Sequence, residues 1–262
     1  MSIKHPFWSF LLLIYALPKI LLVMMGLWFA AMMSVPIMRW TFEGVAILWG
    51  VYLTTLLQAT VVITVLVLDW KWKRTLVSVG FVVVGTIVAE IIGTKTGLLF
   101  GQYHYTGLLQ PQILDVPILI GFAWLMLLPI TWGMAYATRF QSRLTLSLYA
   151  GIAMTAWDLY LDPQMTSWDL WKWDHVGTFN YFGIPLHNFL GWFVVAGLIT
   201  WIINPPKLTS FPCLLIYSCV WMMQFIGQFV FWGQMLVAIF GFMGMGSVLL
   251  FTILSRTRES TV

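Results

Sequence analysis

The amino-acid sequence predicts an all-α membrane protein, a polytopic transmembrane bundle of about eight spanning helices. The chain is 61% hydrophobic and only 8% charged, whereas soluble domains carry about 25% charged residues. Sixteen tryptophans are present, and indole rings favour the headgroup zone of a bilayer. This composition excludes an ordinary soluble domain. The net charge of +4 is scattered over short loops and indicates no nucleic-acid partner.

Eight apolar segments approach the length of about 20 residues that a helix needs to cross the hydrocarbon core. They are residues 7–33, 43–68, 74–93, 116–138, 144–161, 184–203, 208–227 and 230–254. The last two are separated only by a tight turn around Gly227 and Gln228. The first is too long for a signal-peptide core and is predicted to be the first spanning helix. No linker or repeat divides the chain, so residues 1–262 are predicted to form a single transmembrane domain.

The basic residues predict the orientation of these helices. With a cytoplasmic N-terminus, nine Lys and Arg residues fall on the cytoplasmic side and three on the other, as the positive-inside rule requires. The nine are Lys4, Lys71, Lys73, Arg74, Arg139, Arg143, Lys207, Arg256 and Arg258, and the three are Arg39, Lys95 and Lys172. The chain is therefore predicted to be a multi-pass protein of the cell membrane with both termini cytoplasmic. The long loops 94–115 and 162–183 are then on the outer side.

Three helices are predicted to place an ionisable side chain at one depth. Counting about 1.5 Å per residue from the cytoplasmic ends puts Glu90, Asp158 and His187 roughly 22–25 Å into a core about 30 Å thick. Asp162 and Asn188 lie within one helical turn of that level. Ionisable groups at such depth usually face a bundle interior or a wet cavity and are functional. The alternative for Glu90 and Asp158 is a buried carboxyl group that only ties helices together.

The stretch AWDLYLDPQM carries two aspartates, Asp158 and Asp162, within an otherwise apolar region. Their i, i+4 spacing places both carboxyl groups on one helix face. Pro163 is predicted to stop the helix directly after them. Asp162 is then either a second functional carboxylate or simply the first residue of the loop.

The sequence gives little support to two metal-dependent classes of membrane enzyme. Membrane di-iron enzymes need clustered histidines, but no two of the four histidines lie within ten residues of each other, and no spacing supports a zinc site. The pair Asp158 and Asp162 is similar to the aspartate-rich motifs of membrane prenyltransferases, which bind diphosphate through magnesium. Only Lys95 and Lys172 lie nearby to hold phosphate, so this class is the runner-up.

Four stretches combine into a more specific pattern, namely AEIIGTKTGLLFGQYHYT, DVPILIGFAW, AWDLYLDPQM and GIPLHNFLGW. Together they resemble the integral-membrane carotenoid biosynthesis proteins, over about residues 85 to 200. That family includes carotenoid 1',2'-hydratases such as bisanhydrobacterioruberin hydratase and γ-carotene 1'-hydratase. The resemblance implies addition of water to the terminal C1',2' double bond of an acyclic carotenoid end group, by a hydro-lyase that uses no metal or redox cofactor.

The roles that we predict for individual residues follow from the chemistry of acid-catalysed hydration. Protonation of the alkene forms a tertiary cation that water captures, so the site needs an acid, an aromatic wall, a held water and a base. Asp158 is the predicted proton donor, Glu90 positions or deprotonates the water, and Asp162 supports them, with the order of acid and base left open. The candidate substrate-binding residues are Trp157, Tyr160, Trp192, Tyr103, His104, His187 and Asn188.

The predicted partners are a lipophilic carotenoid substrate that enters from the lipid bilayer and other enzymes of the carotenoid pathway. No cofactor and no metal are predicted. Two alternatives remain, a membrane prenyltransferase-like enzyme and a non-catalytic isoprenoid-binding or transport protein. Transport has less support because the sequence shows no pair of broken helices and no internal repeat.

Overall fold

Helices make up most of the chain that the computed structural model describes, residues 6–42 and 45–256. The predicted all-α class is confirmed. In chain order the helices are α1 (Pro6–Tyr15), α2 (Lys19–Phe42), α3 (Val45–Thr96), α4 (Ile118–Leu125), α5 (Leu128–Ala137), α6 (Arg143–Ser167), α7 (Leu186–Ile203), α8 (Ser210–Ile226), a π-helical turn (Gly227–Phe231) and α9 (Met235–Leu254).

Six segments of the described chain are long and apolar enough to cross a membrane, judged by length and composition. They are Lys19–Arg39, Ile47–Thr96, Ile118–Ala137, Leu186–Ile203, Ser210–Phe231 and Met235–Leu254. Helix α6 is as long as these at 25 residues but more polar, because it carries Asp158, Asp162 and several hydroxyl side chains. Two of these polar residues, Asp158 and Asp162, belong to the candidate site described below.

Helix α3 consists of two helices that meet at Lys71, where the backbone leaves the helical region (φ 64°, ψ 164°). The chain reverses there. Tyr52 before the break and Glu90 after it both contact the loop that precedes α4. Trp70, beside the break, instead contacts the carbonyl of Lys207 at the opposite end of the bundle. This hairpin agrees with the two predicted spans 43–68 and 74–93.

The predicted first span, residues 7–33, is wrong as a single helix. The chain leaves the helix between Tyr15 and Lys19, because Pro18 disfavours helical backbone at the residue before it. Helix α1 has only 10 residues, about 15 Å, and is too short to cross a bilayer alone. Helix α2 supplies the span instead and runs on to Phe42.

Two later boundaries also differ from the prediction. The span 116–138 is interrupted between α4 and α5, just before Pro129, and the Gln58 side chain donates to the carbonyl of Met126 that the interruption frees. The turn predicted at Gly227 and Gln228 comes later, because a π-helical turn carries the chain on to Phe231. The span 116–138 is therefore made of two helices, although Ile118–Ala137 as a whole is long and apolar enough to cross a membrane.

Helix α6 continues through Pro163 to Ser167, so the predicted stop after Asp162 is wrong. A proline removes the N–H group that would pair with the carbonyl four residues earlier, here that of Leu159. The hydroxyl of Tyr181 donates to this carbonyl instead, at 3.1 Å. Asp162 therefore lies inside a helix and not at the start of a loop.

The two long loops fold over one end of the bundle as short antiparallel strands, which the sequence analysis did not predict. The central pair, which we call the strand roof, joins β1 (Tyr103–Tyr105) to β4 (Trp171–Trp173). Two small hairpins precede α4 and α7: β2 (Gln112–Ile113) with β3 (Val116–Pro117), and β5 (Asn180–Tyr181) with β6 (Ile184–Pro185). The strand roof brings side chains from both loops onto the buried carboxyl groups of α3 and α6.

Several basic residues of the described chain lie at the ends of the bundle that the sequence predicts, whereas Lys4 and Arg258 lie outside the described residues. Arg74 and Arg143 donate to backbone carbonyls at the end of α7, and the backbone N–H of Arg139 donates to Ser255 near the end of α9. At the other end, beside the strand roof, Lys95 forms an ion pair with Asp115 at 2.6 Å. Which end faces the cytoplasm stays a prediction.

We expect the C-terminus and the 168–185 loop to lie on opposite sides of the membrane, with the C-terminus cytoplasmic, because the positive-inside rule assigns the end with more basic residues to the cytoplasm. Reporter fusions at the two positions, one reporter active only inside and one only outside, measure this. Matching signals from both positions would contradict the predicted topology.

Candidate functional site

A cavity of about 430 Å³ lies under the strand roof, within the size range of ligand pockets. Helices α2, α3, α4, α6, α7 and α8 surround it, and most of its lining is apolar or aromatic. Glu90, Asp162 and Asn188 are buried lining residues that bring ionisable and amide groups into this apolar space. A few polar groups in an apolar pocket are the usual arrangement of a small-molecule site.

The cavity opens sideways, between α2 and α8. Of its described lining residues, the well exposed ones are Met33 and Ile37 on α2 and Ile226 at the end of α8. Arg39 lies over the ring of Trp232 at 5.1 Å and bridges the outer edge of this opening. The opening therefore lies between two helices and not at the strand roof.

Glu90 lies on the part of α3 that follows Lys71, and its side chain accepts three hydrogen bonds. The hydroxyls of Tyr103 and Tyr105 both donate to Oε2, the second at 2.8 Å, and the indole Nε1 of Trp124 donates to Oε1 at 3.3 Å. Burial, and after it the neighbouring carboxyl group, raises the pKa of Tyr103 and of Tyr105 well above its usual range. Both tyrosines therefore keep the protons that they donate.

Asp158 and Asp162 lie on one face of α6, as their spacing predicts, and they share a donor. Nδ2 of Asn188 donates to Oδ2 of Asp158 at 2.9 Å and to Oδ2 of Asp162 at 2.5 Å. Trp171 of the strand roof donates from Nε1 to Oδ1 of Asp162 at 3.1 Å. Oδ1 of Asp158 receives no N–H donor within the described chain, but the carboxyl groups of Asp158 and Asp162 lie within hydrogen-bond reach of each other. This pair has fewer donors per carboxyl group than Glu90 has.

The two aspartates differ in their access to the cavity. Asp162 lines it, whereas Asp158 lies behind and has no exposed surface. We expected Asp158 to face the substrate and Asp162 to support it at the edge of a loop. The order is reversed because α6 continues past Pro163 and holds Asp162 under the strand roof.

Indole rings form one wall of the cavity beside these carboxyl groups. Trp157 and Trp192 line it as predicted, and their rings meet edge to face at 5.8 Å. Trp124, which the sequence analysis missed, stacks on Trp192 with ring centres 4.1 Å apart and planes 6° apart. Tyr160 does not line the cavity, because it points toward α9 and lies against Gly241.

The two candidate histidines lie outside the cavity. His104 is exposed on the strand roof, where Nδ1 contacts Asp174 at 2.9 Å. His187 is exposed beside Gly101, because successive helical residues point about 100° apart and its neighbour Asn188 takes the inward direction. Within residues 6–42 and 45–256, no three His, Cys, Asp or Glu side chains group as a metal site requires.

Three donors to the carboxyl groups, Tyr105, Trp124 and Trp171, escaped the sequence analysis. Depth counting along helices does not reach the first and last of them, which lie in loops. For Trp171 the spacing was nevertheless a signal, since this residue follows Asp158 by 13 positions just as Tyr103 follows Glu90.

Comparison with known proteins identifies the family of the chain. A family model described as carotenoid biosynthesis protein matches residues 49–254, which include both groups of carboxyl side chains and the strand roof. A search of curated proteins found no match, and neither did a search of solved structures. The family match covers 206 of the 262 residues. The chain therefore belongs to the carotenoid biosynthesis protein family and has a role in carotenoid biosynthesis.

Proposed function

We propose that this chain is a carotenoid hydratase that adds water to the terminal C1',2' double bond of an acyclic carotenoid end group by acid catalysis. Family membership supports the carotenoid pathway. The observation that carries the reaction is a cavity, open between α2 and α8, in which Asp162 and Glu90 come from different helices and adjoin an indole wall. Hydration of an alkene needs an acid, a base and a wall that tolerates a cation, and these groups supply them.

The aspartate pair is the proposed source of the proton. Two buried carboxyl groups that share one amide donor repel each other when both are ionised, so one of them keeps a proton. Asp162 lines the cavity and delivers this proton to the less substituted alkene carbon. The π electrons form the new C–H bond and leave a tertiary cation. The faces of Trp157 and Trp192 stabilise that cation.

Glu90 is the proposed acceptor of the second proton. A water molecule adds to the cation, its oxygen forms the new C–O bond, and one of its protons passes to Glu90. That proton then returns to the aspartate pair, so the catalytic groups are restored. The overall change is one alkene plus one water to one tertiary alcohol, with no electron gained or lost.

Co-expression in cells that make acyclic carotenoids tests the reaction. The wild-type chain is expected to yield a carotenoid heavier by one water for each hydrated end, and the Asp162→Asn variant is expected to leave the substrate unchanged. A mass gain of an isoprenoid unit would instead support a prenyltransferase, and binding without conversion would support a carrier. The prenyltransferase reading has less support now, because Lys95 and Lys172 pair with Asp115 and Asp169 on the surface.

We expect the reaction to be independent of metal ions, because the proposed chemistry moves only protons and the histidines lie apart. Purified protein should keep its rate of hydration after treatment with EDTA, within the error of the assay. Loss of turnover on chelation, restored by one divalent cation, would contradict this mechanism and favour a metal-dependent reaction.

A further inference from the structure

A constant spacing of 68 residues relates two halves of the site. Each half contains a helix with a carboxyl group, an aromatic–basic–aromatic strand, a small hairpin and a proline that precedes the next helix. The sequence analysis did not identify this correspondence. The matched pairs are Glu90 and Asp158, Tyr103 and Trp171, Tyr105 and Trp173, Pro117 and Pro185, and Trp124 and Trp192.

The backbone repeats with the sequence. Asp115 in the β2–β3 turn has a positive φ of 70°, and Gly183 at the matching position of the β5–β6 turn has a φ of 84°. Pro117 and Pro185 precede α4 and α7 with nearly the same backbone angles (φ −64°, ψ 132° and φ −60°, ψ 138°). The second part of α3 with α4 and α5 thus corresponds to α6 with α7.

Some residues of one half contact the matching residues of the other half, and these contacts indicate a pseudo-two-fold axis between the halves. In a two-fold arrangement, a residue meets its own equivalent only close to the axis. His104 pairs with Lys172 at the centre of the strand roof, and the matched indoles of Trp124 and Trp192 stack beneath it. In a third matched pair, Trp132 donates a hydrogen bond to Thr200 at 2.8 Å.

The cavity lies on this axis, because matched residues such as Tyr105 and Trp173 line it from both halves. Two differences between the halves decide their polar character. The first half has Thr94 where the second has Asp162, and Ile120 where the second has Asn188. The first half therefore holds one carboxyl group with three donors, and the second holds a carboxyl pair with a shared amide.

We infer that the site is the interface of two diverged repeats, and that Asn188 is the positioning residue that lets Asp158 and Asp162 hold one proton between them. When one aspartate is ionised, the amide Nδ2 donates to it while the other keeps the proton. Without the amide, Asp158 loses the donor that it shares with Asp162, and Asp162 keeps only Trp171, so ionisation of either carboxyl group is disfavoured. The inference rests on the proposed function for its place in the reaction, but not for the location of the proton.

Infrared spectroscopy of the purified protein at neutral pH locates the proton through the C=O band of protonated carboxyl groups. Difference spectra against variants are expected to assign this band to the aspartate pair: it disappears in Asp158→Asn and in Asp162→Asn, and it remains in Glu90→Gln. The variant Asn188→Ile, which places the first repeat's residue in the second, is expected to leave both aspartates neutral and to increase the band about twofold.

The control is Trp132→Phe, which removes a hydrogen bond at the axis without touching a carboxyl group, and it should leave the band unchanged. The inference is overturned if Glu90→Gln abolishes the band, or if Asn188→Ile leaves it at wild-type intensity. If Asn188→Ile fails to fold, the two aspartate variants still test the inference. A band that remains in both variants would show that the proton is not on the aspartate pair. A wild-type protein with the expected band but no hydration would refute the proposed function alone.

Discussion

Replacing Asp162 by Asn is expected to lower the rate of hydration by about 10²–10⁴-fold, the usual cost of losing a general acid. The amide keeps the shape of the side chain and still accepts the hydrogen bond of Trp171, but it has no acidic proton for the alkene. The protein should insert and fold, because the helix and the strand roof remain. The quantity to measure is product formed per folded enzyme, with a monodisperse peak in detergent as the test of folding.

Two further variants define the role of Asp162. Asp158→Asn is expected to lower the rate as well, because the pair then lacks the second carboxyl group that keeps a proton on the first. The matched control is Asp169→Asn, since Asp169 is exposed and pairs with Lys172 on the surface. The control should keep wild-type turnover. Wild-type turnover in Asp162→Asn itself would remove this residue from the mechanism.

The Glu90→Gln variant is expected to lower the rate by a similar factor, about 10²–10⁴-fold, because a neutral amide neither accepts the proton of the attacking water nor offsets the charge of the cation. An exposed carboxylate again supplies the control, in the variant Asp115→Asn. A fall in activity that only follows the yield of folded protein would contradict a catalytic role for Glu90. That outcome would leave it as a group that ties α3 to the strand roof.

The variant Tyr105→Phe changes the surroundings of Glu90 but keeps its carboxyl group. It removes one of three donors to the carboxyl group and leaves Tyr103 and Trp124 in place. A hydrogen bond to a charged group contributes about 1.5–3 kcal/mol, so we expect a smaller loss of rate than in Glu90→Gln.

The depth of the polar groups was predictable because a helix rises by a regular amount per residue. Counting from the cytoplasmic ends brings Glu90 and Asp158 to one level, with Asp162 and Asn188 within one turn of it. In the structure Glu90, Asp162 and Asn188 line the cavity and Asp158 lies behind them. Depth alone does not fix direction around the helix axis. His187 was included for its depth, but it points away from the site that its neighbour Asn188 enters.

The order of the two aspartates was not predictable from local rules. Pro163 normally ends a helix, and the carbonyl that this proline leaves free is satisfied by the hydroxyl of Tyr181, which the loop after α6 brings back to the helix. The strand roof is a similar case, since β1 and β4 come from loops that are far apart in sequence. The correspondence between the halves can be read from the sequence, but apart from Pro117 with Pro185 and Trp124 with Trp192 it rests on spacing and residue class and not on identity.

The most direct test of a hydratase uses purified protein, an acyclic carotenoid in detergent or lipid, and water labelled with heavy oxygen. The account predicts a product that has gained one water at an end group and carries one heavy oxygen atom there, formed by the wild-type protein and by Asp169→Asn but not by Asp162→Asn. A bound carotenoid of unchanged mass, or a product that has gained an isoprenoid unit and no labelled oxygen, would contradict it.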